Sequence, residues 1–472
     1  MPMKISYIID MLSQLENRLD KRMGDEGKRN LILSLLVLRQ VNIVLEQENH
    51  DQVEDLYIPP ELRWEFLKKI PDRDLKRSLY RALQLVQDHS AIYGKLVFPE
   101  SVQGNMEESE LRLLLDGFSM ITGNGEGRGT CGMVEVFEYL CSYLIPKRNE
   151  MAGAFYTPSK VAELIIKLLQ PAGGSVYDPC CGSGALLLKS AEYISKHDGS
   201  YQLYGHEADP AVWRIACTNA ALRGIAFHSD ECIGNNLWQN QHSEFKADYI
   251  LGNPPFGIHS WEQQLNPYDP KWKYGMPPLK RGEFAWLQLM LYHLKESGKM
   301  AIVLSNGVLD SRNNAERRIR AGIIKDDILE AIVTLPAGLF YYTKISVSFW
   351  IINKSKNQEC RNKILLIDAR NSGVTVNRIT ELPETEAQRI CQAYESYQQG
   401  HNEDQQGFSR TVSADEIEAE DYSLAPERYI VSVMSKIPDL EKLESQEERL
   451  EAKLKQLMDE NRENFECIRK RL

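Results

Sequence analysis

Asn253-Pro254-Pro255-Phe256 closes the apolar run Tyr249-Ile250-Leu251, and these residue types together suit the holding of an exocyclic amine. An amine on an aromatic ring is a weak nucleophile, because its lone pair is delocalised into the ring. Two acceptors placed around the –NH2 group engage its hydrogens and favour a pyramidal nitrogen. The Asn253 side-chain oxygen offers one acceptor and the Pro254 carbonyl the other. Pro254 and Pro255 fix φ and stiffen the corner, so the acceptors stand in place beforehand. Phe256 offers a flat face for stacking, worth roughly 1–3 kcal/mol per base. A base inside a duplex cannot reach such a corner, so its nucleotide has to rotate out of the helix. The bland alternative is a Pro-Pro turn beside a buried Phe; the Asn and the preceding strand weigh against it.

A second constellation lies earlier, at Asp178-Pro179-Cys180-Cys181-Gly182-Ser183-Gly184. Ser175 to Asp178 reads as a short strand, and Ala185 to Tyr193 as the helix that follows. Gly182 and Gly184 permit a tight turn and close approach of a ligand to the backbone. Strand, glycine turn and helix open a nucleotide-binding sheet. The next strand, Gln202-Leu203-Tyr204-Gly205-His206-Glu207, ends in an acid placed to meet ribose hydroxyls. A phosphate loop is excluded, because Lys189-Ser190 lacks the preceding Gly. An amine-holding corner after a cofactor turn points to methyl transfer from S-adenosylmethionine.

Three regions must position these residues. Residues 1–148 read as a helical domain, with the apolar stretch Lys28–Leu45 as a buried helix and Gly123 to Gly132 as a flexible loop. Residues 149–375 form the catalytic domain, in which strands at 176–178, 202–207, 227–232, 248–252, 299–304, 329–335 and 347–352 alternate with helices. The fold class is α/β: a Rossmann-like methyltransferase sheet flanked by an N-terminal helical domain and a C-terminal helical tail. Ala331–Leu335 and Val347–Ile352 suit an antiparallel hairpin. The long loop His259 to Gly282 is rich in Trp, Tyr, Pro and Lys, and its place after Phe256 suits a face turned toward DNA. Residues 376–472 are polar and acidic, then highly charged, and Leu443, Leu450 and Leu457 fall seven apart with Leu454 and Ile468 on the neighbouring seam. That spacing suits a coiled-coil-like helix, with a solvated terminal helix as the alternative.

At 472 residues the chain is long enough for two or three domains. No apolar run approaches the roughly 20 residues that span a bilayer, and the start resembles no signal peptide; a cytoplasmic protein is expected. The nine cysteines contain no Cys-x-x-Cys pair and the nine histidines no His-x-x-x-His spacing, so no metal site is expected. A net charge of −11 sits awkwardly with DNA binding. Local basic stretches ease this: Lys271, Lys273, Lys280 and Arg281, then Arg312, Arg317, Arg318, Arg320 and Lys325. Each suits either phosphate contact or a solvated face.

Ala154-Phe155-Tyr156-Thr157-Pro158, Asp178–Gly184 and Asn253–Phe256, in that order, resemble motifs X, I and IV of the modification (M) subunit of type I restriction–modification systems, an adenine-N6 DNA methyltransferase. Phe284-Ala285-Trp286-Leu287-Gln288, Val303–Leu309 and Ile367-Asp368-Ala369 continue the match, which covers most of 150–370. The resemblance implies that Phe155, Tyr156, Thr157, Asp178, Pro179, Gly182, Ser183 and Gly184 line the S-adenosylmethionine site, with Thr157 and Asp178 at its methionine part. Glu207 would hold the ribose, Asn253 and Pro254 the adenine amine, Pro255 the stiff corner, and Phe256 the base. One departure is Gly234-Asn235-Asn236-Leu237, where the family usually carries Gly-Asp-Ser/Thr-Leu. Asn235 can still accept a hydrogen bond from the cofactor's adenine amine. No sizeable segment is left over for a target-recognition domain. The implied partners are therefore double-stranded DNA, a separate specificity (S) subunit docked through the tail, a second M copy and a restriction (R) subunit. The alternatives are a protein-glutamine or ribosomal-RNA guanine-N2 methyltransferase, or a non-catalytic scaffold of a DNA-defence complex.

Overall fold

The computed structural model describes residues 3–46, 57–90, 92–103, 106–122, 131–144, 157–226, 244–255, 266–279, 281–340, 345–376, 379–401 and 404–431, with 453 and 455 as isolated positions. The loop 123–130, the expected strand 227–232 and nearly all of the tail from Pro438 lie outside them, as do Phe155, Tyr156, Asn235, Phe256 and Lys280.

The N-terminal part is helical: α1 (Met3–Glu46), α2 (Trp64–Leu67), α3 (Asp72–His89), α4 (Glu108–Phe118) and α5 (Met133–Leu144). A kink at Gly24, with φ 66°, divides α1. Its second half is buried almost without interruption from Leu31 to Val44, because α3, α4 and α5 surround it. A helix apolar all round must be buried. The polar Asn42 survives there by closing two backbone groups, donating to the Leu38 carbonyl (2.8 Å) and accepting from the Trp64 amide (2.9 Å). Two short strands, β1 (Ile121–Thr122) and β2 (Cys131–Gly132), pair in parallel across the ends of the expected loop.

From α6 (Ser159–Leu169) onward the chain winds a sheet. Its strands are β3 (Gly174–Asp178), β4 (Tyr201–Gly205), β5 (Ala247–Gly252), β6 (Leu294–Ser305), β7 (Leu329–Thr334), β8 (Val347–Asn353) and β9 (Lys363–Asp368). A small antiparallel ribbon follows, β10 (Val374–Val376) with β11 (Ile379–Glu381), and then β12 (Ser409–Ser413) returns to the sheet. The order is β12-β9-β7-β8-β6-β5-β3-β4, with β8 and β12 antiparallel to their neighbours. The expected β7–β8 hairpin pairing is present, and β8 also inserts against β6. The sheet thus takes a strand from beyond residue 375, where the sequence suggested that the catalytic domain ends. Ser409-Arg410-Thr411-Val412-Ser413 has one large apolar residue, so its sequence gives little strand signal; β12 holds by pairing with β9 at the sheet margin.

Side chains alternate across the sheet and feed two cores. Val347, Phe349 and Ile351 enter one core with α6, α7 (Ala185–Lys196) and α11 (Glu384–Gln398). Trp350 and Ile352 enter the other with α9 (Glu283–His293), α10 (Asn314–Lys325) and α12 (Ala414–Ala419). One helix, α8 (Pro210–Leu222), belongs to two bodies: Ala216 joins the sheet core, while Ile215, Ala221 and Leu222 join the core of the N-terminal helices. No described helix is long and apolar enough to cross a membrane.

Trp350 is fully buried and meets Phe284 of α9 edge-on, ring centroids 6.0 Å apart, which fixes α9 over the sheet. Trp350→Ala should cost about 3–5 kcal/mol of stability, read as a lower urea midpoint, and Trp350→Phe clearly less. Equal midpoints for all three proteins would show that this contact does not anchor α9.

Candidate active site

Strands β4, β3, β5 and β6 run parallel, so their carboxyl ends share one edge. The chain passes from β3 to β4 on one side and β5 lies on the other, which makes the β3/β5 boundary the switch point of the winding. A crevice opens outside the strand ends at such a point. Both sequence constellations fall there: the glycine turn follows β3, and Asn253 follows β5.

The turn is held by its own backbone and by two acids. The His206 amide donates to the Asp178 carbonyl (3.0 Å), and the Cys181 amide to the His206 carbonyl (2.9 Å). Gly182 and Gly184 sit at φ 56° and 78°, a region that other residues enter at a cost. The Asp178 carboxylate accepts from the Cys180 amide (3.0 Å). Glu207 accepts from the Gly182 amide (3.0 Å) with one oxygen and from the Asp209 amide (2.9 Å) with the other. Glu207 therefore clamps the β4 end to the β3 turn. Both acids are buried. Burial pushes the Asp178 carboxyl up to about 7, partly offset by the Cys180 amide. Burial also raises Glu207 above the usual carboxylate range, against the hydrogen bonds from the Asp209 and Gly182 amides. The Cys180 and Cys181 thiols are pushed far up by burial and by the nearby acids, which keeps them neutral and poor nucleophiles. Gly252 allows the close approach of β5: a Cβ there would lie 3.1 Å from Met290 and 3.6 Å from the Cys180 sulfur.

At the other side of the crevice Asn253 is 3% exposed. Its Nδ2 donates to the Thr157 hydroxyl (3.1 Å), and its Oδ1 is buried with no hydrogen-bond partner among the described residues. An orphaned buried acceptor costs about 1–3 kcal/mol, a cost that marks a place for a donor that arrives from outside. Thr157 stands just before α6, where Pro158 is the N-cap. Pro254 is buried beside Asn253 and Pro255 half-buried, so the corner is rigid. Ser183 is buried, and its hydroxyl also lacks a partner among the described residues. Pro179 is buried in the turn. Hence Thr157, Asp178, Pro179, Gly182, Ser183, Gly184, Glu207, Asn253, Pro254 and Pro255 converge on one sheet edge.

One acid was missed from the sequence. Glu283 opens α9 and is 6% exposed; Ser305, the last residue of β6, donates to its Oε1 (3.3 Å), while Oε2 has no hydrogen-bond partner among the described residues. A lone acid heading the run Phe284–Leu291, buried throughout, was the available signal.

Several residues of the basic stretches pair with acids of the chain. Lys271 pairs with Asp269 (2.9 Å), Lys273 with Asp326 (2.5 Å), Arg281 with Glu316 (3.8 Å), Arg317 with Asp421 (2.7 Å) and Lys325 with Glu418 (3.4 Å). Arg320 is buried and donates to the carbonyls of Tyr422, Val308 and Ser311. The described part of the loop after Phe256 is docked too: the Tyr274 amide donates to Gln288 (2.9 Å), which donates back to the Gly275 carbonyl (2.9 Å).

Comparison with known proteins follows the same residues. Positions 131–436 match the family model for the N-6 DNA Methylase. The chain is 35% identical over 300 residues to the type I restriction enzyme HindI methylase subunit of Haemophilus influenzae, covering 62% of this chain and 67% of that protein. It is 28% identical over 445 residues to the MjaIX methylase subunit of Methanocaldococcus jannaschii, 88% of this chain and 79% of that one. In fold it is similar to the methyltransferase subunit of a type I restriction–modification system from Streptococcus thermophilus, with a TM-score of 0.71 at 21% identity over 91% of this chain and 100% of that chain.

Thr157→Val removes the acceptor that orients the Asn253 amide and keeps its volume. Methyl transfer should fall by about tenfold or more in kcat, and Thr157→Ser should restore most of it. Equal kcat for Thr157→Val and the parent would rule out the orienting role.

Proposed function

This chain belongs to the N-6 DNA methylase family, as an adenine-N6 DNA methyltransferase of type I restriction–modification systems, and from that premise we propose that it transfers a methyl group from S-adenosylmethionine to N6 of an adenine rotated out of duplex DNA, at sites chosen by a separate specificity subunit. The observation that carries this reading is Asn253: its Nδ2 is held by Thr157 and its buried Oδ1 has no hydrogen-bond partner among the described residues, beside the glycine turn after Asp178 that Glu207 clamps.

The residues at the crevice suit the group. Glu207, at the end of β4, would meet the ribose hydroxyls, and Asp178 would face the ammonium of the methionine part. Asn235 would accept from the cofactor's adenine amine. When bound, S-adenosylmethionine supplies an electrophilic methyl group on a sulfonium. Asn253 Oδ1 and the Pro254 carbonyl take the two N6 hydrogens of the target adenine, and Phe256 stacks on its ring. The two acceptors stabilise positive charge as it develops on N6, and they need no rearrangement to do so. Burial and the neighbouring acids raise the Cys180 and Cys181 thiols, which disfavours a thiolate nucleophile at this turn.

Part of the grip on DNA is assigned to a partner on electrostatic grounds. The chain carries a net charge of −11, and Lys271, Lys273, Arg317 and Lys325 each lie in an ion pair with an acid of the chain. Phosphate grip and base readout then come from a specificity subunit and a second copy of this chain, with a restriction subunit completing the system.

The test is transfer of labelled methyl groups by the purified chain with its specificity subunit. The expected product is N6-methyladenine in duplex DNA at defined sites, with much slower transfer by the chain alone. Label found instead in ribosomal RNA or on protein glutamine would overturn the proposal. Cofactor binding should also report Asp178. Its carboxyl is neutral below about 7, whereas a cationic ligand prefers the carboxylate. Affinity for S-adenosylmethionine should therefore fall below pH 7, by up to about tenfold per unit, and level off above it. In Asp178→Asn this slope should vanish. A slope that persists in that variant would place the proton elsewhere.

A further inference from the structure

Beside the crevice, a line of polar groups runs from the half-buried Glu138 on the N-terminal helices through the buried side chains of Arg223 and Asn219 to the glycine turn. It starts at Glu138 on α5, whose Oε1 accepts from Arg223 Nη2 at 2.7 Å. Arg223 follows the last residue of α8, and its side chain is 5% exposed. Its Nε donates to Glu192 on α7 (3.1 Å), and its Nη1 donates to Asn219 Oδ1. Asn219, one turn back on α8 and 3% exposed, then donates through Nδ2 to the carbonyl of Ser183 (2.8 Å). Ser183 is the residue between Gly182 and Gly184.

Each link fixes the next. The Glu138 carboxylate selects one placement of the guanidinium fork. The guanidinium takes the Asn219 oxygen and so turns its –NH2 group toward Ser183. That bond holds the plane of the peptide joining Ser183 to Gly184, whose φ of 78° other placements would disturb. Carboxylate, guanidinium, amide and carbonyl alternate acceptor and donor from end to end, and in a low-dielectric setting such chains strengthen one another. An ion pair serving only to dock α5 would have no need to end on a backbone carbonyl of the cofactor turn. Thr157, which orients Asn253, lines the same small polar cavity as Glu138, Asn219 and Arg223.

We propose that Glu138, Arg223 and Asn219 form a relay through which the N-terminal helices set the geometry of the 182–184 turn, so that Arg223 and Asn219 are positioning residues for the cofactor and its affinity depends on how α5 is docked. The proposal rests on the reading of that turn as the S-adenosylmethionine site.

The experiment uses the full-length chain and two near-isosteric variants. Glu138→Gln removes the charge at the head of the relay. Asn219→Asp keeps a partner for Arg223, removes the donor to Ser183 and sets a carboxylate oxygen against that carbonyl. Three quantities are read for each variant and for the double variant: S-adenosylmethionine affinity by calorimetry, the thermal midpoint, and amide exchange across 182–188. Each single change should weaken binding by about fivefold or more, and the double variant should bind no worse than Asn219→Asp alone, since sites acting through one relay are not additive. Exchange should quicken in 182–188 and stay unchanged in β3. Parent-like affinity and exchange in Glu138→Gln would overturn the relay, as would a lower thermal midpoint with affinity intact. If the variants loosen the turn while the parent itself binds no S-adenosylmethionine, the relay stands and the cofactor reading fails.

Discussion

A single hydrogen bond, from Asn253 Nδ2 to the Thr157 hydroxyl, decides what the corner after β5 can do. An amide offers donors on one atom and an acceptor on the other, and an unheld side chain can present either. With Nδ2 held by the Thr157 hydroxyl, Asn253 turns its Oδ1 to the open side, the group an amine needs. The bond joins residues 96 positions apart, so it forms only when the head of α6 and the tail of β5 meet. Alternation along β5, β6 and β8 into two cores makes them meet, and the proline corner prevents relaxation.

The same edge holds its acids out of water. Asp178 and Glu207 are buried and answered by backbone amides, Cys180 for one and Gly182 and Asp209 for the other, with no lysine or arginine among the recorded hydrogen bonds of either carboxylate. Such sites destabilise the chain once ionised. For Asp178, the raised folded-state pKa means that stability is lost as pH climbs from the ordinary carboxylate value to about 7. A ligand with hydroxyls and a positive charge offsets that cost.

Much of this was legible in the chain. Asn253-Pro254-Pro255 and Asp178 to Gly184 carry their chemistry in adjacent residues, and the long apolar runs of β7 and β8 announce buried strands. What escaped was set by tertiary contact. Residues 409–413 show no strand pattern and become β12 through pairing with β9. The acids that pair with the basic residues after Phe256, namely Asp326, Glu316, Asp421 and Glu418, come from distant segments and leave no local signal. The Glu138–Arg223–Asn219 line joins residues over 80 positions apart, beyond the reach of any local pattern.

The most direct measurement is a genome-wide map of N6-methyladenine in cells carrying this chain with its natural partners, set against cells carrying Asn253→Ala. The expected result is methylation at one two-part motif that disappears in the variant while the protein level is unchanged. Identical maps in the two strains would contradict the role given to the Asn253 oxygen, and with it the reading of the corner as the place where the adenine amine is held.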